Sequence, residues 1–196
     1  MRVETMTGQY LDLATGGDPA ADLDTALAIA RHKTAAYTID YPLRVGAALT
    51  GAGPGLLAAL RAYAIPLGEA FQMRDDLLGV FGNPTQTGKP AVDDLREGKH
   101  TALLAVARRN PDPIQRALLG NLVGDPDLDT CDVERVRSLL TSTGARAAVE
   151  AMIAERCRQA IGALDIAPLD RAATVLLREL ATAAVARPHP RTEARR

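Results

Sequence analysis

The hydrophobic positions of this chain recur with a helical period along nearly its whole length. Leu23, Leu27 and Ala30, for example, are spaced by four and three residues and therefore share one face of a helix. No segment of comparable length shows the two-residue alternation of a β-strand. The pattern predicts an all-α protein built as a helical bundle.

Glycine and proline residues separate the predicted helices. The helices are expected over Val3–Ala14, Ala20–Tyr37, Tyr41–Thr50, Gly55–Phe81, Thr101–Arg109, Pro113–Leu122, Val133–Leu140, Gly144–Ala163 and Pro168–Ala186. The fourth is expected to kink at Pro66, because proline cannot donate the backbone hydrogen bond of that turn. We expect residues 1–186 to form a single domain and the basic tail at 187–196 to be disordered.

Composition narrows the class of function. The 196 residues have a net charge of −1, no tryptophan and only 3% aromatic residues, so neither basicity nor base-stacking side chains point to nucleic acid. No apolar run is long enough to cross a membrane, and the opening residues MRVETMTGQY lack the apolar segment of a signal peptide. Two cysteines, Cys131 and Cys157, indicate neither a disulfide framework nor a zinc site. We therefore expect a cytoplasmic protein that binds no nucleic acid.

The stretch FQMRDDLLG, at residues 71–79, places two adjacent carboxylates in a long apolar helix. Because ionised acids repel each other and resist burial, Asp75 and Asp76 require a positive group nearby. Gln72 shares a face with both acids, which themselves diverge by about 100° around the helix. Two such acids can flank Mg²⁺ without enclosing it, which leaves coordination positions for water and phosphate oxygens.

Three lysines provide the positive charge that a phosphate group needs. Lys89 and Lys99 lie in the long polar segment after the acids, and Lys33 lies near the end of an earlier predicted helix. Each ammonium group can hold a diphosphate oxygen, and a polar segment of this length within a helical domain is usually functional or mobile. Together the acids and lysines predict a magnesium–diphosphate site.

The same residues also have a plainer interpretation, which the spacing leaves open. A pair of aspartates on a helix is often a solvated face, and single lysines are often surface residues. The pair Asp93–Asp94 is equally consistent with turn formation. His32, His100 and His189 form no cluster in the sequence and are predicted not to bind metal.

The order of five segments along the chain favours the magnesium–diphosphate site over this plainer interpretation. The chain resembles the trans-isoprenyl diphosphate synthases, or polyprenyl synthetases, in GQYLDL (8–13), HKTAAYT (32–38), PLRVGAAL (42–49), LGEAFQMRDDLLGVFG (67–82) and TGKPAVDDLREGKHT (87–101). The form DDLLGVFG is most similar to geranylgeranyl diphosphate synthases of actinobacteria. The resemblance implies the all-α isoprenoid synthase fold and a Mg²⁺-dependent, head-to-tail condensation of isopentenyl diphosphate with an allylic diphosphate.

The resemblance also implies roles for individual residues. Asp75 and Asp76 would bind Mg²⁺ as the second aspartate-rich motif of the family. Thr34 and Phe71 would line the site near the reacting carbons. The residues implied to contact the allylic diphosphate, or to help close the site over it, are Lys33, Gln72, Lys89 and Lys99.

Three departures from the family pattern matter. Gly79 stands where the second motif usually has a third aspartate, and Val92 stands where the following loop usually has glycine. The 196 residues contain no counterpart of the first aspartate-rich motif or of the isopentenyl diphosphate pocket. The resemblance therefore covers the C-terminal half to two thirds of a family member, and the bundle is expected to lack its N-terminal helices.

Two interpretations of this partial match remain. Either the chain is the incomplete catalytic part of a prenyltransferase, inactive alone, or it is a non-catalytic subunit that binds a full-length synthase. Members of the family are usually homodimers joined through helices, and Ala20–Tyr37 and Pro54–Phe81 are candidates for such an interface. A terpene cyclase, which shares the fold, is disfavoured because its NSE-type metal motif is absent.

Overall fold

The computed structural model describes residues 2–16, 18, 22–82, 93–109 and 111–186. Every regular element in these ranges is a helix, so the predicted all-α class is confirmed. The elements are α1 (Arg2–Thr15), α2 (Leu23–Ala30), a π-helix (Arg31–Asp40), α3 (Tyr41–Leu49), α4 (Pro54–Phe81), α5 (Asp93–Arg96), α6 (Ala102–Ala107), α7 (Pro113–Leu122), α8 (Thr130–Ser142), α9 (Ala145–Ala163) and α10 (Arg171–Val185).

The largest departure from the predicted helices lies between residues 20 and 40. The single helix expected over Ala20–Tyr37 is two elements, because α2 begins at Leu23 and gives way to a π-helix at Arg31. Asp22 starts α2 by accepting a hydrogen bond from the backbone N–H of Thr25. A π-helix has a wider turn than an α-helix, and such segments occur often at functional sites. Hydrophobic spacing over one or two turns does not distinguish the two.

The other predicted helices have ends within three residues of the prediction, whereas the short helix α5 lies in a segment that was predicted to be a loop. The helix Pro113–Leu122 has the predicted ends, and Asp112 and Gln115 close its first turn as a reciprocal capping pair. Pro66 lies inside α4 without ending it. The expected disordered tail at 187–196 lies outside the described residues, and the single domain over 1–186 remains a prediction. In the ranges described here, no helix combines the length and apolarity required to span a bilayer.

Helix α4 is the centre of the bundle. It has 28 residues, of which eleven are buried, and it packs against the π-helix, α9 and α10. Its first half contributes Tyr63 and Leu67 to an apolar cluster shared with α9 and α10. Its second half contributes Met73 and Leu77 to a larger cluster shared with α2, α6, α8 and α9. Since each such side chain contributes about 1.5–3 kcal/mol when fully buried, these two clusters hold the other helices around α4.

Ion pairs attach both ends of the π-helix. At its start, Arg31 donates through Nε and one terminal nitrogen to Glu69 Oε1 on α4, at 2.9 and 2.6 Å. Glu69 is 2% exposed, and its second oxygen lies 2.6 Å from Nε of Arg156 on α9. At the end of the π-helix, buried Asp40 accepts from Arg61 of α4 at 2.9 Å. Because buried carboxylates are tolerated only when paired, these contacts determine where the π-helix lies on α4.

One glycine permits the close approach of these two helices. A Cβ atom placed on Gly68 would lie 2.3 Å from both Cα and Cβ of Ala35 in the π-helix. That distance is far shorter than van der Waals contact, and a backbone atom cannot move aside as a flexible side chain can. The two helices therefore pack backbone against backbone at this point.

The substitution Gly68→Ala is expected to lower the free energy of unfolding by about 1–3 kcal/mol, because the added methyl group overpacks the contact with Ala35. Urea unfolding measures the change. Gly46→Ala is the matched control, since a Cβ there meets nothing within 4 Å and the helix propensity of alanine should raise stability by up to about 1 kcal/mol. Equal stabilisation by both substitutions would show that the close packing at Gly68 is absent.

Candidate active site

A cavity of about 430 Å³ lies between α1, α2, the π-helix, α4 and the segment that follows α5. Six of the eight residues predicted from the sequence line it: Lys33, Thr34, Gln72, Asp75, Asp76 and Lys99. Phe71 is not among the lining residues, and 37% of its surface is exposed on α4. Lys89 lies outside the described residues, so its predicted role stays a prediction. The fold thus brings together side chains that are up to 66 positions apart in the sequence, from Lys33 to Lys99.

The two adjacent aspartates have different environments. Asp75 is exposed, whereas Asp76 is 6% exposed. Gln72 donates its side-chain amide to Asp76 Oδ1 at 2.9 Å, and Thr34 donates to the Gln72 oxygen at 2.5 Å. Burial raises the pKa of Asp76 to about 6, against the opposing effects of Lys99 and the Gln72 amide. The chain of hydrogen bonds from the π-helix therefore orients a buried carboxylate at the cavity wall.

Lys99 is the positive group that this carboxylate requires. Its Nζ lies 3.4 Å from Asp76 Oδ1 and also 3.4 Å from Asp94 Oδ1. Burial alone would lower the pKa of Lys99, but the attraction of these two carboxylates outweighs it and raises the pKa to about 12. The ammonium group therefore marks a point at which two carboxylates hold one cation. Asp94 was interpreted from sequence only as a turn residue, and this contact is what that interpretation missed.

Lys33 also lines the cavity, where it is paired with a residue that sequence reasoning missed. Its Nζ donates to Asp12 Oδ2 on α1 at 2.5 Å. Helix α1 reaches this position because Gly8 packs directly on the π-helix, where a Cβ would lie 2.5 Å from the backbone nitrogen of Lys33. The signal was present in GQYLDL, which has an aspartate one turn after the glycine. Asp12 and Gln9 line the cavity with Lys33.

His100, which follows Lys99 in the sequence, also lines the cavity. It is 3% exposed, and its Nε2 lies 2.9 Å from the backbone oxygen of Asp22. Since a carbonyl oxygen only accepts, Nε2 donates the hydrogen in this contact. This contact links the residue after Lys99 to the start of α2.

The donor set suits magnesium rather than a softer metal. The nearby acidic groups offer carboxylate oxygens, which Mg²⁺ prefers, and the ammonium of Lys99 already occupies a cation position between two of them. Across the described ranges, no three histidine, cysteine, aspartate or glutamate side chains are grouped so as to hold a metal ion. A magnesium ion here would therefore take further ligands from water and phosphate, as is usual for this metal.

Comparison with known proteins identifies the family. The family model described as "Polyprenyl synthetase" matches residues 1–140. The chain belongs to the polyprenyl synthetase family. It is 34% identical over 143 residues to a geranylfarnesyl diphosphate synthase of Aeropyrum pernix, covering 73% of this chain and 43% of that protein. It is 33% identical over 157 residues to a geranylgeranyl diphosphate synthase of Mycobacterium tuberculosis, covering 80% and 45%.

Solved structures confirm the isoprenoid synthase fold. A geranylgeranyl pyrophosphate synthase from Corynebacterium glutamicum, solved with isoprenyl diphosphate and magnesium, has a TM-score of 0.89 and 38% identity. The match covers 94% of this chain and 52% of that one. This polyprenyl synthetase chain thus spans about half the length of the relatives it matches, and the family resemblance inferred from the five segments is confirmed.

The substitution Lys99→Met is expected to lower the free energy of unfolding by about 2–3 kcal/mol at pH 8, because Asp76 then lacks its nearest cation. The loss should be smaller at pH 4.5 than at pH 8, since burial raises the pKa of Asp76 to about 6 and a protonated carboxyl no longer requires a cation. Urea unfolding in EDTA at pH 8 and pH 4.5 measures both effects.

Lys99→Arg is the matched control for this substitution, because it keeps the positive charge and should keep most of the stability. A loss in Lys99→Met that is equally large at both pH values would contradict the assignment of Lys99 as the partner of Asp76.

Proposed function

We propose that this chain forms the allylic-diphosphate side of a Mg²⁺-dependent isoprenyl diphosphate synthase. Such an enzyme joins an allylic diphosphate to isopentenyl diphosphate head to tail. The observation that carries the proposal is the cavity in which Lys33 and Lys99 lie with Gln72, Asp75 and Asp76. Cations and metal-binding carboxylates in one cavity match the chemistry of a bound diphosphate, and the Corynebacterium relative was solved with isoprenyl diphosphate and magnesium.

The proposed roles follow from the charges that develop in the reaction. Asp75 and Asp76 hold magnesium, which neutralises the departing diphosphate when bound. Lys33 and Lys99, which both line the cavity, stabilise the same negative charge. We assign the same role to Lys89. Because Lys33 and Lys99 are already oriented by Asp12 and Asp94, little reorganisation of these two lysines is needed as the carbon–oxygen bond breaks.

Ionisation of the allylic diphosphate also yields an allylic cation. The apolar part of the cavity protects this cation. Ala26, Ile29 and Ala30 line it beside Thr34. An allylic cation is destroyed by water, and a wall of this kind keeps water from the reacting carbons. Thr34 is itself buried and directed to Gln72, so its hydroxyl positions the amide. Phe71 does not line this cavity, so its predicted role near the reacting carbons stays a prediction.

We further propose that this chain alone does not complete the reaction. The chain spans about half the length of its relatives, and the residues that bind isopentenyl diphosphate would come from a further segment or another chain. Without that second site the two substrates are not positioned together, and positioning accounts for several kcal/mol of an enzymatic barrier. The isolated chain is therefore expected to bind a diphosphate without condensing it.

The exposed apolar face of helix α1 indicates that the chain binds another protein. This is the basis of the second candidate function. Helix α1 exposes Val3, Met6, Tyr10 and Leu13, each at least 70% exposed. Their spacing of three, four and three residues forms a straight apolar seam of the kind that packs against another helix. We propose that this seam contacts a second copy of the chain or a full-length synthase. In the latter complex the chain would be a non-catalytic subunit. The interface segments suggested by sequence, Ala20–Tyr37 and Pro54–Phe81, did not include this helix.

The substitution Asp76→Asn is expected to weaken binding of inorganic pyrophosphate in the presence of Mg²⁺ by at least tenfold, because the buried carboxylate is a proposed metal ligand. Isothermal titration calorimetry with and without Mg²⁺ measures the effect. Asp127→Asn, an exposed acid outside the cavity, is the control and should bind as the parent does. Unchanged binding in Asp76→Asn would refute the site, and condensation by the isolated chain would refute its proposed incompleteness.

The double substitution Met6→Lys and Leu13→Lys is expected to abolish self-association, or association with a synthase, while leaving the helical content unchanged. Two charges in the seam cannot be buried without partners. Light scattering coupled to gel filtration measures the mass. Ile114→Lys on α7 is the control, because this residue is 81% exposed outside the seam. A mass that is the same in the parent and both variants would show that α1 is not an interface.

A further inference from the structure

His100 joins two parts of the cavity that are far apart in the sequence. It directly follows Lys99, whose ammonium group pairs with Asp76 and Asp94. Its Nε2 donates to the backbone oxygen of Asp22 at 2.9 Å, across 78 positions of the chain. Nδ1 of the ring is buried and has no hydrogen-bond partner within the described ranges. Among these residues, the contact with Asp22 is therefore the polar contact that holds the ring.

The oxygen that accepts this bond belongs to the residue at which α2 begins. The carboxylate of Asp22 also accepts from the backbone N–H and the hydroxyl of Thr25, at 2.9 and 2.8 Å. These bonds fix the first turn of α2. His100 lies two positions before the start of α6 at Ala102, and α6 packs against α2. The histidine thus ties the segment that carries Lys99 to the start of α2.

Helix α2 provides the apolar wall of the cavity, whereas Lys99 provides part of its positive charge. Ala26, Ile29 and Ala30 of α2 are buried and line the cavity together with Lys99 and His100. A ligand with a charged head and an apolar chain must contact both parts at once. The distance between the lysine and this wall therefore determines how well such a ligand fits.

We propose that His100 is a positioning residue whose bond to Asp22 sets Lys99 relative to the apolar wall of α2. The cavity can then bind a diphosphate and its hydrocarbon chain as one unit. The proposal rests on the proposed function, because the ligand is the allylic diphosphate of that site. His100 acts through Lys99 and α2, and a preorganised pair of contacts binds more tightly because less freedom is lost on binding.

The test compares a ligand that has the hydrocarbon chain with one that lacks it. Isothermal titration calorimetry with Mg²⁺ measures the affinity for inorganic pyrophosphate and for geranyl S-thiolodiphosphate, an analogue that resists ionisation. His100→Asn places its amide nitrogen near the position of Nδ1 and loses the bond to Asp22. It is expected to weaken binding of the thiolodiphosphate about tenfold, while pyrophosphate binding changes by less than about threefold.

His100→Gln is the matched control, because its amide nitrogen takes the position of Nε2 and can still donate to Asp22. It should bind both ligands as the parent does. Equal weakening of the two ligands in His100→Asn, or parent-like binding of both, would overturn the proposal. Failure of His100→Gln to keep the affinity for the thiolodiphosphate would overturn it as well.

A merely structural role of His100 is tested in the Lys99→Met background. If His100 acts through Lys99, adding His100→Asn leaves the ratio of the two affinities unchanged, as expected for residues that act on the same contact. A further fall in this ratio would show that His100 acts on the apolar wall without Lys99, and the proposal fails.

Nuclear magnetic resonance of the parent chain tests the contact even if His100→Asn does not fold. Long-range proton–nitrogen spectra show which ring nitrogen carries hydrogen, and His100→Gln assigns this ring among the three histidines. Nε2 of His100 is expected to carry a hydrogen that exchanges slowly with water, because the residue is 3% exposed. An Nε2 without hydrogen would refute the bond to Asp22 and the proposal with it.

The outcomes also separate this proposal from the proposed function. If Asp76→Asn binds pyrophosphate with Mg²⁺ as the parent does, the proposed site itself is wrong. If Asp76→Asn loses binding while His100→Asn behaves like His100→Gln, the site stands and only the role of His100 is wrong.

Discussion

Carboxylates buried along α4 require cations from other elements, and this requirement organises the structure. Glu69 forms ion pairs with Arg31 of the π-helix and Arg156 of α9. About two turns further along the helix, Asp76 pairs with Lys99 from the segment after α5. Removing one partner of such a pair leaves an unpaired buried charge, which typically costs about 3–5 kcal/mol. Each acid on α4 thus determines where a neighbouring element lies, in a way that non-directional apolar packing does not.

The same requirement connects stability with function. Around Glu69 the cations are arginines with several donors in a fixed plane, which suits a permanent link. Around Asp76 the cation is a lysine, whose compact ammonium rotates freely and is about 3.4 Å from each acid. The first arrangement holds the π-helix in place. The second holds a cation at the cavity wall, where the proposed chemistry needs positive charge beside a diphosphate.

Close backbone contacts bring the two walls of the cavity together. Gly68 lets α4 meet the π-helix at Ala35, and Gly8 lets α1 meet it at Lys33. The π-helix is therefore held between α4 and α1 while presenting Thr34 to Gln72 and Lys33 to Asp12. A longer side chain at either glycine would move the helix that carries the proposed diphosphate ligands.

The sequence by itself determined the all-α class, most helix boundaries, the family and six residues that line the cavity, because helical periodicity, caps and ordered motifs are local properties of the chain. It predicted that Asp75 and Asp76 diverge around one helix, but only the tertiary structure decided that Asp76 is buried and Asp75 exposed. The tertiary structure also decided three other features: the π-helix, the pairing of Lys33 with Asp12, and the fit of Asp94 against Gly79, where a Cβ atom would lie 2.5 Å from Oδ2 of Asp94. Each depends on backbones that approach from distant parts of the chain, and neither spacing nor composition records which of them come within contact distance.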